Sequence, residues 1–71
     1  MNTATENRPT PLQAWIELQL ARGSTVSAMA AQFGLPRSVV SHIRHGRRRM
    51  PRNRLLLAKS VTNLALEDLL A

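Results

Sequence analysis

Between Arg37 and Lys59 the chain carries eight basic residues, Arg37, Arg44, Arg47, Arg48, Arg49, Arg52, Arg54 and Lys59, and no acidic one. At the start of that block Arg37, Ser38, Ser41 and His42 are spaced so that a helix would bring them to one face. Each can donate or accept a hydrogen bond, and a guanidinium offers five N–H donors in a fork that matches phosphate or the acceptor edge of guanine. The chemistry on offer is recognition of a polyanion. Bond-making chemistry lacks its parts: there is no cysteine, no paired carboxylates, no nucleophile beside a base and no glycine loop to cradle a phosphate. His42 and His45 lie three apart, but no carboxylate or cysteine is near them in sequence, so a metal site is rejected. The expectation is a protein that is no enzyme and uses no cofactor and no small-molecule ligand.

Ten Lys and Arg against four Asp and Glu give a formal charge of +6, and the distribution says more than the total. Glu6, Glu17, Glu67 and Asp68 all lie outside the basic block. A solvated face normally mixes signs, so a one-signed block implies a polyanionic partner. Nucleic acid is the first candidate and an anionic membrane surface the second. A membrane-surface helix would line its bases along one face opposite a continuous apolar one, whereas five of these eight sit in the segment HGRRRMPRNR, which Gly46 and Pro51 punctuate. That placement favours nucleic acid.

Seventy-one residues suit one domain, near the lower limit of what a single core stabilises unaided. With one Trp, one Phe and no Tyr the core must be aliphatic, and a chain rich in Leu, Ala and Arg favours helices over strands. The absence of cysteine fits a reducing compartment. No apolar run reaches the length of a membrane span and no basic-then-apolar signal opens the chain, so the expectation is a soluble cytoplasmic protein, acting at the nucleoid.

The elements that must position these side chains can be read in order. Residues 1–9 are polar, lack periodicity and hold one base, Arg8; they read as a flexible arm ahead of a domain over residues 10–71. Thr10 opens helix 1 as a cap, with Pro11 at the first helical position and Gln13 completing a capping box. Leu12, Trp15, Ile16 and Leu20 recur at helical spacing and define its buried stripe, and Gly23 ends it. Helix 2 starts from Ser24 or Thr25 and runs to about Phe33, with Met29, Ala30 and Phe33 inward. Gly34 supplies a tight turn, Pro36 starts helix 3, and Val39, Val40 and Ile43 face inward until Gly46. The segment HGRRRMPRNR that follows reads as a loop. Helix 4 spans about Arg52 to Thr62, with Leu55, Leu57, Ala58 and Val61 available to the core. Leu64, Leu66, Leu69 and Leu70 then crowd into a tail too short to be a stable free helix.

With these positions assigned, the segment from Thr25 to Gly46 resembles the helix-turn-helix of the lambda-repressor/Cro family of phage and bacterial regulators. The family's motif asks for a small residue, a glycine four residues on, and branched aliphatics six and nine residues past that glycine. Here these are Ala30, Gly34, Val40 and Ile43, with Phe33 and Leu35 beside the turn. LAKSV followed by LALEDLL is similar to the family's fourth helix and short final helix, so the resemblance covers roughly residues 10–71. Val26 stands where the family most often has glutamine, Pro36 where a Ser or Thr cap is usual, and Arg44 where an acidic residue is frequent.

The resemblance implies an all-α bundle of four to five helices containing a helix-turn-helix, and a compact Cro-like repressor that binds a palindromic operator in double-stranded DNA as a homodimer. Carried over position by position, it assigns base reading to Pro36, Arg37, Ser38, Ser41 and His42. Arg44, Arg47, Arg48, Arg49, Arg52 and Arg54 suit phosphates, with Thr25 and Gln32 as weaker phosphate candidates. Leu56 points away from the helix 4 stripe, and with Leu64, Leu66, Leu69 and Leu70 it is assigned to dimerisation, which would set half-sites about 34 Å apart. Two other classes fit the residues: an RNA-binding module, which would want exposed aromatics for stacking, and a protein-interaction module such as a DNA-binding antitoxin or assembly factor, using its leucine-rich end.

Overall fold

A computed structural model describes residues 9–70 of the chain. The expected arm over residues 1–9, Arg8 included, lies outside the described residues except for Pro9. Among these residues five α-helices follow one another: α1 Pro11–Ala21, α2 Val26–Phe33, α3 Arg37–Arg44, α4 Leu55–Thr62 and α5 Leu66–Leu70, with a 3-10 turn over Arg52–Arg54 leading into α4. The all-helical bundle expected from the sequence is the one observed, and no described residue lies in a strand.

Local chemistry sets most of the boundaries. At the start of α1 the Gln13 amide donates to Thr10 Oγ1 while the Thr10 amide donates to Gln13 Oε1, the reciprocal pair of a capping box. Thr25 Oγ1 likewise accepts from the Ala28 amide at the start of α2. α2 ends where Gly34 turns left-handed at φ +67°; its amide donates to the Ala31 carbonyl and the Leu35 amide to the Ala30 carbonyl. This is a Schellman closure, and a side chain at that φ would be strained. Leu35 and Pro36 then carry the chain directly into α3, so that α2, the turn and α3 form a helix-turn-helix. α4 ends with Asn63 in the left-handed region at φ +63°, its amide donating to the Lys59 carbonyl. Asparagine is the one common substitute for glycine there.

The core comprises Leu12, Ile16, Met29, Ala30, Phe33, Val40, Ile43, Met50, Ala58 and Leu69, with Trp15, Leu20, Val26, Leu35, Val39, Leu55, Val61 and Leu64 half-buried around it. The Trp15 and Phe33 rings lie 5.7 Å apart at 59°, a tilted pair joining α1 to α2. Three side chains of α4 and α5 differ from the sequence reading. Leu57, expected in the core, is 42% exposed. Thr62 takes a place in the core instead: its hydroxyl donates to the Ala58 carbonyl and accepts from the Leu64 amide, so its polar atom is satisfied. Leu69, expected at a dimer interface, is 1% exposed within its own chain. α5 packs against both α1 and α4, and Leu69 is the side chain it buries. A leucine already enclosed has no area left to give a partner.

Candidate nucleic-acid interface

The outer face of α3 follows from which of its residues the core takes. Val40 and Ile43 are buried, and Val39 is half-buried. At 3.6 residues per turn this leaves Arg37, Ser38 and His42 exposed and Ser41 half-buried on the opposite side. Arg37, Ser38 and Ser41 line a shallow groove together with Val26 from the start of α2. The Pro36 carbonyl already accepts from the amides of Val39 and Val40, but no side chain caps α3, unlike α1 and α2. Pro36 itself is exposed ahead of them. Four of the five residues carried over as base readers therefore lie along one side of α3, with Ser41 the least accessible of them, and Pro36 stands at its N-terminal end.

One residue absent from the sequence reading joins them. Ser27 Oγ accepts from Arg37 Nη1 at 3.4 Å, a long bond between two exposed side chains. It links α2 to the first residue of the α3 face and biases the direction of the Arg37 guanidinium. The signal was present only as a hydroxyl at the second position of helix 2, where serine is ordinary.

The basic residues divide into three groups. Arg47, Arg48, Arg49 and Arg52 are exposed, and what fixes the segment carrying three of them is Met50, which is 3% exposed and belongs to the core. Gly46, at φ +75°, closes α3 through its own amide to the Ile43 carbonyl and the Arg47 amide to the His42 carbonyl; Met50 then pins the chain before Pro51. Both ends of the arginine segment are thus anchored. A methionine among arginines gave no periodic signal, so its place in the core was not legible.

Arg44, also assigned to phosphate, is engaged with α1 in this structure. Its Nε donates to Glu17 Oε2 at 2.7 Å, and its carbonyl accepts from Gln13 Nε2 at 3.2 Å. Gln13 and Glu17 lie one turn apart on α1, so Arg44 faces α1 and fastens the end of α3 to it. With the two side chains 35% and 53% exposed, this ion pair contributes at most about 1 kcal/mol; its larger effect is to neutralise Glu17, the one carboxylate paired with α3 among the described residues. Arg54 is the third case. It is half-buried and its Nε donates to the Gly34 carbonyl at 3.3 Å, which ties it to the turn between α2 and α3. The weaker phosphate candidates Thr25 and Gln32 are both exposed at the surface of the α2 end and body, with the Thr25 hydroxyl already engaged as the cap.

The expected dimer residues also separate. Leu56 is 76% exposed, Leu66 39% and Leu70 48%, and Leu57 joins them, whereas Leu64 is packed against the core and Leu69 lies inside it. These four exposed leucines sit on α4 and α5, two helices in contact, and Leu18 is exposed apart from them on α1. Among the described residues no group of His, Cys, Asp and Glu could hold a metal ion, and no helix is long and apolar enough to cross a membrane.

No family profile, curated protein or solved structure matches the chain. Its likeness to the repressor family therefore rests on the motif positions in the sequence alone.

Proposed function

We propose that the protein is a sequence-specific binder of double-stranded DNA acting as a transcriptional regulator, of the compact repressor kind that the motif resembles, with α3 entering the major groove. One observation carries this reading. The uncovered face of α3, bearing Arg37, Ser38, Ser41 and His42, is followed directly by exposed arginines on an anchored segment, with no unpaired carboxylate beside it among the described residues. An α-helix fits the major groove, where an arginine can take guanine O6 and N7 together. Arginines alongside a reading helix suit the phosphates that fix its register. Trp15 and Phe33 pack on each other, leaving neither as an open stacking platform, which weighs against RNA as the partner.

The test separates base reading from phosphate binding. A duplex selected by the protein from a random pool is compared with a scrambled duplex of the same length over a series of salt concentrations. Arg37→Ala should weaken the selected duplex by about 1–3 kcal/mol and relax preference at one base position. Arg48→Ala should weaken both duplexes alike and reduce the salt slope by about 1. Equal effects of the two changes on both duplexes would overturn this division, and no duplex binding at low salt would overturn the whole reading.

The same reading takes the protein as a homodimer paired through α4 and α5. Exposed leucines there, Leu56, Leu66 and Leu70, would remove about 25 cal/mol per Å² of apolar surface from water on pairing. Sedimentation equilibrium should give twice the chain mass, and a Leu56→Asp, Leu70→Asp chain should sediment as a monomer that still melts cooperatively, at a temperature no longer dependent on concentration. A wild-type monomer at high concentration that still binds single half-sites would exclude the dimer.

A further inference from the structure

Arg54 is separated from Gly34 by twenty residues, yet its Nε donates to the Gly34 carbonyl at 3.3 Å. The guanidinium also lies against the glycine's backbone: a Cβ built at Gly34 would stand 3.4 Å from Nε, 3.8 Å from Cζ and 3.9 Å from Nη2. Gly34 is the residue at which α2 ends and the chain reverses into α3. Arg54 itself is the last residue of the 3-10 turn and the first before α4, and it is only half-exposed. The bond uses one of the guanidinium's five N–H groups, and the Arg54 side chain makes no other hydrogen bond among the described residues.

We propose that Arg54 is a positioning residue that sets specificity, by holding the α2–α3 turn at the angle the reading helix requires and tying that turn to the basic segment. This rests on the reading of α3 as the DNA-reading helix. Only Leu35 and Pro36 separate the held carbonyl from Arg37, so a shift of the turn is carried almost directly into α3. A charge that merely attracts phosphate would act on all sequences alike. A donor that fixes the turn acts on the fit of α3 to base edges, which differs between sequences.

Two substitutions separate the donor from the charge. In Arg54→Gln the side-chain amide nitrogen falls at the place of Nε, so the donor to Gly34 is kept and the charge lost. In Arg54→Lys that place is taken by a methylene, so the charge is kept and the donor lost. Binding to the selected and the scrambled duplex gives the specificity ratio, and hydrogen exchange of the Leu35 amide in the free protein reports on the turn. Arg54→Lys should lower the ratio about tenfold, the effect of one hydrogen bond, keep the salt slope and speed Leu35 exchange. Arg54→Gln should keep the ratio and the exchange rate and flatten the slope by up to about 1. A wild-type ratio or a wild-type exchange rate in Arg54→Lys overturns the proposal. Failure of the underlying DNA reading is visible separately, as a wild-type protein that prefers no duplex. A melting curve for each variant guards against loss of fold, and if Arg54→Lys melts early, the ratio in Arg54→Gln decides: a ratio lowered as far as in Arg54→Lys overturns the proposal.

Discussion

Phe33→Ala should abolish the cooperative melting of the protein, or bring it close to ambient temperature. Phe33 is 1% exposed, among the largest fully buried side chains, and its ring sits 5.7 Å from that of Trp15. Truncating a buried phenylalanine costs about 3–5 kcal/mol, the lost transfer energy plus the cavity left behind. A chain of this length has a total stability of about 4–11 kcal/mol at the usual 0.05–0.15 kcal/mol per residue, and small domains fall toward the low end. The loss therefore takes most of what is available. It also falls at the last residue of α2, next to the turn, so the α2–α3 angle goes with it. Thermal melting followed by circular dichroism measures the effect, with Ser60→Ala, an exposed site on α4, expected within about 0.5 kcal/mol of wild type. A Phe33→Ala protein that still melts cooperatively a few degrees below wild type would mean that the core can close around the cavity, and that its stability lies elsewhere.

How much of this was legible in the sequence depends on whether the deciding interaction is local. Thr10 with Gln13, Thr25 with Ala28, and Gly34 with its two closing amides all act within five residues, and each boundary they set was readable. So were Met29, Ala30, Phe33, Val40 and Ile43, because helical spacing alone puts them on one face. Beyond α3 that rule weakens. Leu55, Leu56 and Leu57 are chemically alike, and which of them is covered depends on where α2 and α5 lie, not on the residues themselves. Thr62 and Met50 broke the pattern from the other side: each is buried by a long-range neighbourhood that its own sequence surroundings do not announce. Leu69 illustrates the same limit, since a short helix can spend its leucines on its own core or leave them for a partner, and α5 buries Leu69 while Leu66 and Leu70 stay exposed.

For the candidate interface, residue type showed the charge but not its commitments. Arg44, Arg48 and Arg54 are indistinguishable in composition. In the fold, one is paired with Glu17 on α1, one is exposed, and one is turned onto a backbone carbonyl. Partners 27 and 20 residues away in sequence made the difference, and no spacing rule reaches that far.

The exposed arginines then carry the second large effect. Changing Arg47, Arg48 and Arg49 together to Ala should flatten the plot of log affinity against log salt by about 2.7, since each phosphate neutralised contributes about 0.9 on duplex DNA. At 0.1 M salt that slope corresponds to a loss of about 500-fold, shared by selected and scrambled duplexes alike. Because all three side chains are exposed and Met50 still holds the segment in the core, the melting temperature should be unchanged or raised, as mutual repulsion within a +6 chain is relieved. The specificity ratio should stay at its wild-type value, because none of the three lies on the α3 face. A slope change below about 1 would show that the segment lies away from the phosphates. A fall in the ratio with the slope unchanged would move these arginines from the backbone into a groove, where their guanidinium groups read sequence or groove width.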